Sequence, residues 1–307
     1  MSDRLSASAI GFLLAIVGTA LFSLKSIFIK LAYAQGLNTD DVLMLRMAIA
    51  LPVYVAIMLW LRRQQEAPIV QGKWLQIAFL GFIGYYLSSW LDLKGLEMIS
   101  AQLERLTLFT YPIWVALLGA LFFKTPLTRK ILLSLVITYS GLWVAFYQEL
   151  SFSGEQTLLG TLLVFLAALS FSFYVLFGKK LIHRVGSLWF TSLAMTISSL
   201  FVLTHYALLA DFSALQVSQQ AWLWLALLAV FSTVIPSFMI SEAIARIGPA
   251  QTGIIGSLGP MVTIVLAVWI LQEPFGIWHA IGLGLVIGGV TFLTYSPSKP
   301  STRTPQN

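Results

Sequence analysis

The sequence predicts an all-α integral membrane protein of ten transmembrane helices, built from two inverted five-helix repeats. Three observations predict it. Hydrophobic residues make up 58% of the 307 residues and charged residues 10%, with a mean hydropathy of +0.88, whereas a soluble domain carries about 25% charged residues. Apolar runs near the roughly 20 residues that cross a bilayer recur from end to end. The second half of the chain also repeats landmarks of the first. Ten spans consume about 200 residues and leave no room for an extramembrane catalytic domain. A soluble enzyme, a nucleic-acid module and a disordered chain are thereby excluded. The net charge of +6 is no nucleic-acid footprint, because the basic residues gather at helix ends. With no cysteine in the chain, disulfides, thiol catalysis and thiolate metal sites are excluded as well.

Span 1 covers 9–29; it reaches spanning length and no small-residue cleavage site follows it, so it reads as an uncleaved helix rather than a signal peptide. Span 2 covers 42–61 and holds Arg46 and Pro52. Span 3, 74–92, carries Tyr85, Ser88, Ser89 and Asp92 at i, i+3, i+4 and i+7 of one helical face. Span 4, 99–122, repeats the pattern with Glu104, Thr107 and Tyr111, followed by Pro112. Span 5, 130–148, has a small-residue face of Ser134, Thr138, Gly141 and Ala145. Spans 6 and 7 cover 158–178 and 187–206, the latter with a Ser192, Thr196, Ser199 stripe. Spans 8 and 9, 221–240 and 249–271, contain Pro236 and Pro260. Span 10, 277–295, holds a Gly284-xxx-Gly288 pair, which with the span 5 face predicts close helix packing or, alternatively, an oligomer contact. The Pro, Ser and Thr-rich tail from 297 to 307 predicts cytoplasmic disorder.

Lys and Arg should be in excess on cytoplasmic loops. With the N-terminus inside, 13 of the 18 basic residues fall on the cytoplasmic side and only Lys30 and Lys94 on the outer side. Lys25, Arg46 and Arg105 lie within spans. Ten spans in the plasma membrane with both termini cytoplasmic is the expected topology.

The doubling appears when the chain is shifted on itself. A shift of 148 aligns Trp74-Leu75 with Trp222-Leu223, Pro112 with Pro260, Pro126 with Pro274 and Gly141 with Gly289. A shift of 149 aligns Gly11 with Gly160, Phe22-Ser23 with Phe171-Ser172, Phe28 with Phe177, and Ala101-Gln102 with Ala250-Gln251. The expected repeats are 1–149 and 150–296. Five is odd, so the second enters the membrane from the opposite side; inverted repeats place a binding site near the midplane and permit alternating access.

These features resemble the drug/metabolite transporter superfamily, in particular its EamA-type ten-helix members. The resemblance is carried by Gly248-Pro249-Ala250-Gln251 through Pro260, the Gln272-Glu273-Pro274 end of span 9, and the matching run Ala101-Gln102-Leu103-Glu104-Arg105 through Tyr111-Pro112. Gly141, Gly282, Gly284, Gly288 and Gly289 in the last span of each half add to it. The pattern departs at Lys124-Thr125-Pro126, where the resemblance implies a Glu like Glu273. It also implies that spans 5 and 10 pack on each other, away from the transport path, and that export is more frequent than uptake.

A charge at mid-bilayer costs about 2.5–3.5 kcal/mol on insertion scales and therefore faces a cavity or a partner. Lys25, Arg46, Asp92, Glu104 and Arg105 all belong to the first half. Their second-half counterparts are neutral, Tyr174 standing for Lys25 and Ile240 for Asp92. A structural ion-pair network, direct handling of solute or protons, and interfacial snorkelling of Lys25 and Asp92 are the three open readings. Polar stripes either line a cavity or bond to neighbours. Pro52, Pro112, Pro236 and Pro260 are expected to interrupt their spans, and unwound backbone at Pro112 and Pro260 is a candidate ligand contact.

There is no GxxxxGK[ST] loop, no HExxH and no GxSxG, so no cofactor, metal or enzymatic nucleophile is expected. The expected function is secondary transport of small organic metabolites such as amino acids, with Glu104 as the candidate for a coupling proton and the protein a monomer or homodimer. The five intramembrane charges sum to +1, which favours anionic or zwitterionic solutes. A non-transporting membrane sensor or assembly partner is the alternative; an intramembrane enzyme ranks third.

Overall fold

The helices start where short polar side chains cap apolar runs. Asn38 accepts from the Asp41 amide at 3.0 Å while the Asp41 carboxylate accepts from the Asn38 amide, a capping box that opens Thr39–Arg63. Ser100 caps Ala101–Leu108 through the Leu103 amide, and Ser218 caps Gln219–Ala229 through the Ala221 amide. Each such cap contributes about 1 kcal/mol.

The computed structural model describes residues 2–64, 74–124, 128–153, 156–210, 215–247, 252, 255–256 and 258–294. All regular structure among them is helical. Span 1 is Ser2–Ser23 and Lys25–Tyr33, broken at Leu24. Span 2 is Thr39–Arg63, and span 3 runs Trp74–Gly81, a π-helical segment Phe82–Leu87, then Ser88–Leu96. Span 4 is Ala101–Leu108 and Tyr111–Phe123. Arg129–Ser153, Gln156–Val185 and Ser187–Leu209 form spans 5 to 7. Span 8 is Gln219–Ala229, a second π-helical segment Val230–Val234, and Ile235–Ile247. Leu258–Ile270 and Ile277–Thr294 belong to spans 9 and 10. Seven stretches among the described residues are long and apolar enough to cross a membrane, and two shorter apolar helices lie in spans 9 and 10. The Gly248–Gln251 stretch, Thr125-Pro126 and the tail lie outside the described residues.

The prolines divide. Span 2 continues through Pro52 without interruption, contrary to expectation. Pro112 follows a break at Phe109–Thr110 and sits in the first turn of its helix, and Pro236 is the second residue after the π-helical segment Val230–Val234. Pro260 is the third residue of Leu258–Ile270, and Ile255 and Gly256 before it are already helical.

The inverted doubling recurs in the backbone. The two π-helical segments among the described residues begin at Phe82 and Val230, 148 residues apart. The two non-glycine residues with positive φ among the described residues, Lys124 at 53° and Gln272 at 56°, are separated by the same shift. Gly11 packs against Ile247, and its counterpart Gly160 packs against Met98. Spans 1 and 8 lie together, as do spans 6 and 3, spans 2 and 7, and spans 5 and 10.

The packing of spans 5 and 10 corrects one expectation. A Cβ added at Gly141 would lie 2.7 Å from the Gly282 carbonyl oxygen, and one at Gly289 would lie 3.0 Å from that of Ser134. Gly284 and Gly288 instead have no heavy atom within 4 Å of where a Cβ would stand. Gly282 and Gly289 are two turns apart and share the contact face; the GxxxG pair points elsewhere on the helix.

Candidate functional site

The breaks in spans 1 and 4 bring the chemistry together. At Leu24 span 1 frees the Ser23 carbonyl, which accepts from Thr263 Oγ1 of span 9 at 2.9 Å. Beside the span 4 break Ser172 Oγ of span 6 shares its one proton between its own helix's Ala168 carbonyl at 2.6 Å and the Tyr111 carbonyl at 3.0 Å. A hydroxyl of the second half thus satisfies the carbonyl opened at Leu24 in the first, which a buried carbonyl requires.

Lys25 and Ser26 follow the first break, and each holds a carboxyl. Lys25 pairs with Asp92 Oδ2, and Ser26 Oγ donates to Glu104 Oε2 at 2.6 Å. All four are buried, Glu104 completely and Asp92 at 1% exposure. Snorkelling of Lys25 and Asp92 is therefore corrected: the two neutralise each other in the interior, so neither needs the interface. Asp92 Oδ1 and Glu104 Oε1 are buried without a donor among the described residues.

Arg105 is buried at 6% exposure and makes no ion pair among the described residues. Its guanidinium stacks over the Phe22 ring at 5.0 Å, which contributes about 0.5–2 kcal/mol. A Cβ at Gly259 would lie 3.3 Å from Arg105 Nη2, so the missing side chain beside Pro260 leaves room for the guanidinium. Arg46, 3% exposed, lies within electrostatic reach of Asp92, Tyr33 and Tyr54, and its Nε has no acceptor. Of the ion pairs expected, only Lys25 with Asp92 forms among the described residues.

An aromatic wall stands beside the charges. Tyr85 meets Tyr174 edge-on at 4.9 Å between ring centroids, and Tyr111 meets Phe171 at 5.4 Å. Tyr174 and Phe171 come from the second half, and Gly84 gives the Tyr174 ring its space. The span 3 stripe is split. Ser88 Oγ donates to the Ala167 carbonyl of span 6 at 3.0 Å, so it serves packing; Ser89 is buried at 9% exposure. In span 7 Ser199 bonds its own helix at the Met195 carbonyl, whereas the Ser192 and Thr196 hydroxyls are buried without a partner. Ser26, Phe22, Thr263 and Gly259 were not legible as site residues. Their parts depend on the break at Leu24, which no Pro or Gly announces.

Carboxylates tie helix starts at the end expected to face outward. Glu273 accepts from the Ala101 amide at 2.8 Å and the Gln102 amide at 3.3 Å, linking span 9 to the start of span 4. Glu97 accepts from the Thr39 amide at 2.6 Å and from Lys94 at 2.7 Å. Partial burial pushes the Glu97 carboxyl up, but the bonds from Lys94 and Thr39 outweigh this and hold it below the ordinary range. At the other end Glu242 takes the parallel role, accepting from Ser187 Oγ at 3.0 Å and from Arg246 at 2.8 Å.

Residues 9–147 and again 158–295 match the EamA-like transporter family. The uncharacterized transporter YcbK of Bacillus subtilis (strain 168) is 27% identical over 303 residues, which cover 97% of this chain and 96% of that protein. An uncharacterized transporter of Archaeoglobus fulgidus is 21% identical across 87% of this chain and 91% of its own length. A solved structure with 16% sequence identity superimposes with a TM-score of 0.66, covering 94% of this chain and 96% of that one. At that identity the likeness concerns the fold alone.

Proposed function

From the premise that this chain belongs to the EamA-like transporter family of membrane transporters, we propose that it carries small anionic or zwitterionic metabolites, amino acids among them, by alternating access. Its two arms are the repeats 1–149 and 150–296, with both termini cytoplasmic in the plasma membrane. Export is the direction the family resemblance favours.

One observation carries the choice of solute. Arg105 is a buried guanidinium with no carboxylate partner in ion-pair contact among the described residues. It faces the second half at Gly259. An unpaired buried charge is costly, and a guanidinium binds a carboxylate bidentately and stays charged at any workable pH. A solute carboxylate would complete the pairing, with Tyr85, Tyr111 and Tyr174 flanking its body, Arg46 as a second cation and the backbone at Pro112 and Pro260 within the same chamber. Glu104 is the coupling carboxyl of this reading.

The test is flux in reconstituted vesicles with a pool of amino acids and organic acids, compared with neutral analogues. Arg105→Gln should insert normally and raise the apparent KM for the anionic solute about tenfold or more, as expected from losing about 1.5–3 kcal/mol of charged hydrogen bonding. The neutral analogue should be nearly unaffected. Equal loss for both solutes, with yield rescued by adding Glu104→Gln, would assign Arg105 to the structural network instead.

A further inference from the structure

Two neighbouring residues of span 1 hold two carboxyls of different spans. Lys25 takes Asp92 Oδ2 and Ser26 takes Glu104 Oε2. The remaining oxygens, Asp92 Oδ1 and Glu104 Oε1, are both sealed from solvent and lack a donor among the described residues. The two carboxyl groups approach within hydrogen-bonding reach of each other. Two ionised carboxylates in that position would repel each other, with two buried acceptors left empty.

We infer that Asp92 and Glu104 hold one proton between them and form the proton site of the transporter, with Lys25 as its fixed counter-ion. A single shared proton supplies the donor that both orphaned oxygens lack. The groups facing the pair are Lys25 and Tyr33 from span 1, Arg46 from span 2, and Arg105 from span 4, with Tyr111 next to Arg105. Spans 6 and 9 contain no charged residue between Thr157 and Gly178 or between Leu258 and Ile270. Lys25 is in contact with Asp92, and its field reaches Glu104 together with that of Arg105, while the Ser26 hydroxyl donates to Glu104 Oε2. With the proton in place, Glu104 makes no claim on Arg105, and the five-residue cluster rises from +1 to +2. Loading the proton therefore readies Arg105 for an anion. The inference rests on the solute reading above only in that last step.

Infrared spectroscopy of the purified protein at neutral pH tests the proton itself, without any solute. A protonated carboxyl shows a carbonyl stretch that ionised carboxylates lack and that shifts in heavy water. One such buried band is expected in the native chain. It should vanish in Glu104→Gln and also in Asp92→Asn, because in either variant the new amide donates to the remaining carboxylate. Ser26→Ala should keep the band but shift its frequency, since Glu104 loses a donor. Absence of the band in the native chain would overturn the inference. Its survival in Asp92→Asn would too, by assigning the proton to Glu104 alone. If Asp92→Asn does not fold, loss of the band in Glu104→Gln with a Ser26→Ala shift supports the site; an unshifted band in Ser26→Ala sinks it. Because no transport is measured, these outcomes leave the solute reading untouched.

Discussion

Lys25 and Arg105 both lie over Phe22, at 5.8 Å and 5.0 Å from the ring centroid, yet their situations differ. Lys25 is paired with Asp92; Arg105 has a ring and a field but no carboxylate in contact. The first is a structural bond and the second is poised for a partner. Breaking a buried pair strands a charge at about 3–5 kcal/mol. Lys25→Met should therefore lower the thermal midpoint in detergent substantially, and Lys25→Met with Asp92→Asn should recover most of it. Equal instability of the single and double variants would deny the pair its structural role. At this scale the sequence tells which residues matter, because a charge within an apolar run needs a reason. It does not tell who pairs with whom. Lys25 and Asp92 are 67 residues apart, and their meeting depends on the break at Leu24.

Helix ends follow a rule that both halves obey. An acidic residue near the end of span 3 or span 8 ties the start of span 2 or span 7, and a basic residue within a turn supports it: Glu97 with Lys94 on Thr39, and Glu242 with Arg246 on Ser187. Glu97 has its carboxyl held below the ordinary range. Its stabilisation is therefore present above the unfolded-state value and is lost as pH falls through the lower folded-state value. Glu97→Gln should lower the thermal midpoint at neutral pH, and the gap to the native chain should close on acidification through the carboxylate range. A gap that stays constant with pH would show that the carboxylate charge is not what stabilises this junction. Span positions were legible because length and apolarity report them directly. The π-helical segments were not: Phe82–Leu87 contains no proline, and a widened turn leaves hydropathy unchanged. The contact face of span 10 was misread for a related reason, since GxxxG spacing alone does not say which face meets span 5.

Over the whole molecule, the doubling was the most legible feature, because landmark residues at a shift of 148 or 149 survive even where their neighbours differ. The charged cluster breaks that symmetry: all five charges lie in the first half, and Tyr174 stands where the repeat would place a second Lys25. An inverted fold with a one-sided site makes orientation decisive, since it fixes which compartment lies beyond Glu273 and the start of span 4. Orientation follows from the distribution of basic residues. Thirteen of the 18 basic residues fall at one end of the bundle when ten spans are threaded, against Lys30 and Lys94 at the other. Basic loops are retained on the cytoplasmic side, so Gln64 and Arg184 should lie inside and Gln216 outside. The native chain has no cysteine, so single cysteines can be introduced without a background. All three positions are exposed. In intact cells a membrane-impermeant thiol reagent should label Gln216→Cys at once, and Gln64→Cys and Arg184→Cys only after permeabilisation. Labelling of Gln64→Cys or Arg184→Cys before permeabilisation, with Gln216→Cys protected, would invert the protein. The Asp92–Glu104 pair would then stand nearer the cytoplasm, and Glu273 would close the inner mouth rather than the outer one.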